Sequence, residues 1–160
     1  MDAKEYNDCV KQWADALFRF AWKCSRHKED ARDLVQNAFE ILWTKKETVS
    51  PEKAKAFLFQ IAYNQSVDLF RKKQRMPLSE PPILSDFSPP GHPDLKRILD
   101  KAFEQLDTQA KALVLLKDYE GYSYEEISGI TGLSLTQVKV YLHRTRKQLK
   151  QYLISVEHII

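Results

Sequence analysis

The sequence predicts an all-α protein: two small helical domains joined by an extended, proline-rich, acidic linker, the second domain ending in a helix-turn-helix. Three observations carry this. No glycine occurs before Gly91, and the first block is rich in Ala, Leu, Phe, Lys and Glu, residues that sit readily in helices. Six of the seven prolines fall within residues 77–94. Two serine capping boxes stand close together further on, Ser123 with Glu126 and Ser134 with Gln137.

The first helix is expected from about Ala3 to Cys24, because Val10, Trp13, Leu17, Phe20 and Ala21 recur at three and four and make one apolar stripe. Cys9 and Cys24 point along that one helix and cannot easily pair. His27, three residues after Cys24, supplies at best half a zinc site, so no metal or other cofactor is expected. A second helix is expected from about Asp30 to Thr44, with Asp30 and Asp33 in its first turn, where the helix dipole favours anions. Leu34, Val35, Ala38, Phe39, Leu42 and Trp43 form its apolar side; Arg32, Asp33, Gln36 and Glu40 lie opposite.

Ser50 followed by Pro51 is a helix start, proline being suited to the first helical position. The third helix is expected from Pro51 to about Lys73, buried by Phe57, Leu58, Ile61, Ala62, Val67, Leu69 and Phe70. It ends in Arg71, Lys72, Lys73 and Arg75, four bases among five residues. Favourable charge at a helix C-terminus explains part of that run; four cations exceed what the dipole requires and point to nucleic acid. Residues 77–94 can be neither helix nor strand and read as a semi-rigid tether. The domains are therefore expected at 1–76 and 95–160. In the second, Asp94 is expected to cap a helix over about Leu95 to Gln105, with Ile98, Leu99, Ala102, Phe103 and Leu106 inward. Asp107 is expected to cap another that ends at Asp118, with Ala110, Leu113, Val114 and Leu116 apolar.

The two capping boxes then open a pair of short helices. Gly129 and Gly132 supply the turn between them. Ile127, Ile130, Leu133, Val138 and Leu142 clamp the pair, which makes it a helix-turn-helix. Its second helix presents Lys139, His143, Arg144, Arg146, Lys147 and Lys150, and no acidic residue occurs between Leu133 and Val156. Such a helix suits a DNA major groove. Charge is distributed to match: residues 1–76 hold fifteen Lys/Arg against eleven Asp/Glu, 77–94 hold three acids and no base, and 95–160 hold ten bases against eight acids. Two basic blocks about an acidic connector suit a protein that touches nucleic acid at two places. There is no nucleophile–base set, phosphate-cradling glycine loop or complete metal site, so an enzyme is not expected. With two cysteines, no signal peptide and no apolar run of about eighteen residues, the chain reads as cytoplasmic, with no stable membrane insertion.

DARDLVQNAFEILW, AFLFQIAYNQSVDLFRKKQR, the proline-rich linker and GYSYEEISGITGLSLTQVKVYLHRTRKQL together resemble the extracytoplasmic-function sigma factors of bacterial RNA polymerase, over nearly the whole chain. The resemblance implies promoter-specific initiation, with core polymerase (its clamp region), promoter DNA and an anti-sigma factor as partners. It implies that Asp30, Asp33, Gln36 and Glu40 bind the clamp. Tyr63, Asn64 and Asp68 would face the unpaired minus-ten strand while Arg71, Lys72, Lys73 and Arg75 hold phosphates; a Tyr63 buried in the core is the competing reading. The loop from Lys45 to Ser50 resembles the one that receives a flipped-out base. In the helix-turn-helix, Lys139, Val140, His143 and Arg144 would contact the minus-thirty-five element, with Thr136 and Gln137 near phosphate and Arg146 and Lys147 further along the same helix. The linker would thread the polymerase's channels. Val140-Tyr141 departs from the family's frequent Ser-Arg, so promoter sequence is where this chain should differ; Phe57 stands where a Trp is common, a change a core tolerates. A free-standing helix-turn-helix regulator with a helical sensor domain is the alternative, distinguished by whether the first block carries an exposed polar ridge or a ligand pocket.

Overall fold

A computed structural model describes residues 1–75 and 93–159. Every regular element among the described residues is helical, and they fall into two compact units. The linker expected at 77–94 lies outside the described residues, apart from its last two positions.

In the first unit α1 (Ala3–Ser25), α2 (Lys28–Thr44) and α3 (Pro51–Arg75) pack on one another pairwise. Helix α1 opens on a capping box: the Asp2 carboxylate accepts from the Glu5 amide at 2.8 Å, and Glu5 accepts from the Asp2 amide at 3.0 Å. It stops at Arg26, whose left-handed φ of 64° ends the helical run. Leu17, Phe20, Leu42, Leu58 and Phe59 fill the core, and the rings of Phe20 and Phe59 meet edge to face at 5.2 Å. Large apolar side chains buried this fully contribute about 1.5–3 kcal/mol each. Cys9 and Cys24 are both buried and both free thiols.

Several positions depart from the sequence pattern. Helix α2 begins at Lys28, so its first-turn acids are Glu29 and Asp30, and Asp33 lies one turn in. Trp43 and Phe70 are exposed, at 44% and 36%. Both stand near the ends of their helices; the Trp43 ring meets Tyr6 of α1 edge to face at 4.9 Å. Phe59, absent from the expected core, is fully buried, while Phe57 is only half-buried.

In the second unit α4 (Pro93–Glu104) and α5 (Thr108–Val114) pack on α7 (Leu135–Ile159); α6 (Tyr124–Thr131) precedes α7. Helix α4 starts at Pro93, so Asp94 lies within it rather than at its cap. Ala102 and Leu106 are buried, but Leu99 is 48% exposed and Leu95 59%. Asp107 caps α5 as expected, accepting from the Ala110 amide at 2.7 Å. Helix α5 then loosens into a π-helical segment, Leu115–Tyr119, in which the Glu120 amide bonds back five residues to the Leu115 carbonyl at 2.9 Å. Leu115 and Leu116 are buried there.

Candidate nucleic-acid interface

Both predicted capping boxes form. The Ser123 hydroxyl accepts from the Glu126 amide and Glu126 from the Ser123 amide, each at 3.1 Å. Ser134 and Gln137 repeat the exchange at 3.1 and 2.9 Å, fixing where α7 begins. Between them Gly132 takes a left-handed φ of 79°, the conformation that ends α6 and admits the turn. Gly129 does not share that role. It lies inside α6 with no left-handed φ. The Ser128 hydroxyl donates to the Leu133 carbonyl at 2.6 Å and closes the turn. Ile127, Ile130, Val138 and Leu142 are buried and Leu133 half-buried.

Burial of Val138, Leu142 and Thr145 sets the rotation of α7. Thr136, Val140, His143 and Lys147 recur at four, three and four, and so form an exposed stripe on the other side. Arg144 is exposed beside it. A groove met along this stripe would find small polar, apolar and cationic groups in sequence, the mixture used to read base edges and hold phosphates.

Not every predicted residue is equally available. Arg146 is turned to the flank of the helix, where its guanidinium donates to the Asp118 carboxylate at 2.9 Å. Burial pulls the Arg146 guanidinium down, but Asp118 and hydrogen bonds to Tyr124 and Asp118 outweigh it, so the net shift is upward and the charge is held. Gln137 has its side-chain oxygen committed to the cap. Lys139 lies 5.7 Å from the centre of the Tyr124 ring, and Lys117 lies 4.5 Å from the same ring. Tyr124 therefore gathers Lys117, Lys139 and Arg146 at the start of α6. No spacing rule signalled this cluster, because its members come from three separate elements.

In the first unit, Asn64, Asp68, Arg71 and Arg75 recur at four, three and four along α3 and are all exposed, on the side away from Leu58 and Ala62. Tyr63 is not among them. It is buried at 5% exposure, because position 63 falls on the side of α3 that carries Phe59 and Ser66; its ring belongs to the core and is not offered to an unpaired strand. Lys73 faces α2, where its ammonium donates to the Asp30 carboxylate at 2.8 Å. Lys72 lines a shallow groove between α2 and α3 with Asp30, Asp33 and Asp68. On α2, Asp33, Gln36 and Glu40 are exposed, and the Gln36 amide donates to Glu40 at 3.3 Å. Asp30 is only half-exposed, held by its partner lysine. The Lys45–Ser50 loop is a tight turn: the Thr48 and Val49 amides bond the Lys45 carbonyl at 3.0 and 3.2 Å, and the N-terminal ammonium bonds the Lys46 carbonyl. The Lys46 ammonium lies over Trp43, 3.4 Å from the ring centre.

The family models for sigma-70 region 2 and for sigma-70 region 4 match residues 9–76 and 96–149, in that order. The ECF RNA polymerase sigma factor SigE of Mycolicibacterium smegmatis is 31% identical over 92% of this chain and 61% of its own length. The chain belongs to the extracytoplasmic-function sigma factors. The RNA polymerase sigma factor SigV of Bacillus subtilis is 26% identical over 89% of this sigma factor and 87% of its own length. Among solved structures, the sigma factor RpoE of Bartonella quintana, crystallised with the anti-sigma factor NepR, shares the fold with a TM-score of 0.74 at 24% identity, covering 94% of this chain and 98% of that one.

Within this sigma factor, region 2 accounts for α1–α3 and region 4 for the helix-turn-helix with the helices before it. No helix among the described residues is long and apolar enough to cross a membrane. No cluster of three or more metal-ligating side chains occurs among those residues either.

Proposed function

We propose that this protein directs RNA polymerase to a set of promoters, through a minus-ten-binding domain over residues 1–76, a linker over 77–94 and a minus-thirty-five-binding domain over 95–160. The observation that carries the reading is the exposed stripe of α7, Thr136, Val140, His143 and Lys147 with Arg144 beside it, in a chain whose other unit matches sigma-70 region 2. The α7 stripe reads the upstream element. Asn64, Asp68, Arg71 and Arg75 meet the melted downstream strand, where hydrogen bonding and cations offset lost stacking. Asp33, Gln36 and Glu40 form the ridge that docks on the polymerase clamp. It is a transcription initiation factor with no chemistry of its own, it works in the bacterial cytoplasm where polymerase and promoters are, and an anti-sigma factor holds it when it is idle.

The test is transcription in vitro with core polymerase over a randomised promoter library. Enrichment of a two-part sequence only when this protein is added is the expected result. If start-site choice is untouched while the protein alone binds an operator tightly, the chain works as a free-standing regulator instead.

A further inference from the structure

The four cations that end α3 are not equivalent. Arg71 and Arg75 lie on the outer face with Asn64 and Asp68, whereas Lys73, two residues past Arg71, is carried round to the α2 side. There it meets Asp30 at 2.8 Å, across 43 residues of chain. Neither partner is deeply buried; the side chains are 39% and 34% exposed. Each also belongs to a different proposed surface, Lys73 to the phosphate-binding run and Asp30 to the acidic ridge. The Lys73 ammonium is thus satisfied by a carboxylate of the other surface, and the Asp30 carboxylate by a cation of the other.

We propose that the Asp30–Lys73 pair is an autoinhibitory contact: in the free protein each surface covers one charge of the other, and a cationic partner segment that takes Asp30 releases Lys73 to the DNA backbone. The inference rests on the reading of α3 as a strand-binding helix. Three features support a switch in place of a fixed strut. The pair is solvent-accessible, so its strength is modest and an incoming charge can compete for it. Lysine carries a point charge on a flexible four-carbon stem, so the ammonium can leave Asp30 by turning its own side chain. The groove beside it is lined by Asp30, Asp33 and Asp68 against Lys72, an acidic excess that favours approach by a cation. Coupling of this kind is reciprocal: DNA held by Lys73 leaves Asp30 open, so strand binding and partner binding favour each other.

The experiment uses the full chain and a fluorescein-labelled single-stranded oligodeoxynucleotide, with affinity followed against salt. Asp30→Asn removes the carboxylate and keeps its shape. It should tighten binding by about two- to five-fold at low salt, the size of an exposed ion pair. The log–log salt slope should steepen by about 0.7, the value of one added phosphate contact on a single strand. Asp33→Asn removes the same charge one turn away and should leave the slope alone. In a Lys73→Ala background Asp30→Asn should have no effect. The proposal is overturned if Asp30→Asn leaves the slope unmoved, if its gain survives Lys73→Ala, or if Asp33→Asn reproduces it. Arg71→Ala/Arg75→Ala separates the two levels: loss of salt dependence there alongside an inert Asp30→Asn discards the switch alone, whereas no loss discards the strand-binding reading of α3 on which it rests.

Discussion

The guanidinium of Arg146 donates to the carboxylate of Asp118 at 2.9 Å, tying the flank of the recognition helix to the π-helical segment 28 residues earlier. Both side chains are 46% exposed. The contact is therefore a modest one energetically, but it takes Arg146 away from the stripe that Thr136, Val140, His143 and Lys147 present. Arg144 and Arg146, two residues apart and chemically identical, should consequently behave differently. Arg144→Ala is expected to weaken binding to the upstream promoter element by about 1–3 kcal/mol if Arg144 reads a base. Arg146→Ala should cost less binding, together with a loss of stability no greater than about 1 kcal/mol. Footprinting titrations and urea melts of both variants check this, and equal losses in DNA affinity would mean that the assigned rotation of α7 is wrong.

Gly129 and Gly132 should respond to alanine with opposite signs. At Gly132 the φ of 79° strains any L side chain, so alanine should destabilise by about 1–2 kcal/mol. Gly129 is helical and an added methyl meets nothing within 4 Å, so alanine should stabilise by up to about 1 kcal/mol. Chemical denaturation of the two variants is sufficient, and a shift of the same sign in both would contradict the turn geometry.

Charge reversal of Asp33 to Lys should weaken assembly with core polymerase while leaving the thermal midpoint close to wild type, because the side chain is exposed. Gel filtration with core enzyme separates the outcomes. Normal assembly would move the docking ridge elsewhere.

Burial, followed by the carboxylates of Glu120 and Glu126, pushes the Tyr122 phenol well above its ordinary value of 10.0. The folded protein therefore keeps this proton at pH values where the unfolded chain has lost it. That contribution to stability is complete below the unfolded value and declines as pH rises above it. Urea midpoints at about pH 8 and about pH 10.5 should fall more for the wild type than for Tyr122→Phe. Parallel falls would assign the alkaline loss to other groups.

Phe59→Ala should cost about 3–5 kcal/mol and Phe70→Ala about 1 kcal/mol or less, since one ring is fully enclosed and the other stands at the surface. Calorimetry of the pair checks a distinction that the sequence alone reversed.

That reversal marks where legibility ended. Capping boxes at Ser123 and Ser134 could be read directly because all their atoms lie within four residues of chain. Helix starts were harder: Pro93 itself opens α4, displacing the expected Asp94 cap inward. Periodicity gives each helix its apolar stripe but not how much of it the neighbouring elements cover, so Trp43, Phe70 and Leu99 fall on the expected core side and are exposed. In the unbroken run Phe57-Leu58-Phe59 the phase is ambiguous by one step, which hid Phe59. The resemblance alone puts Tyr63 at a DNA strand, and the competing reading holds: its side chain is buried in the core. Asp30–Lys73 and Asp118–Arg146 could not be read at all, since nothing local in a sequence links residues 43 and 28 apart.

The loosened stretch at Leu115–Tyr119 has one further consequence. A π turn holds one residue more than an α turn would, so it works as an absorbed insertion. Removing one residue there would let ordinary winding resume with the flanking register kept. The same deletion made within α5 has no slack to take it up and would turn everything downstream by about 100°. Asp118 would then lose its line to Arg146, and the segment leading into Ser123 would leave in the wrong direction. The π turn is thus where this stretch tolerates a change of chain length, and α5 is where the angle of the reading head is set.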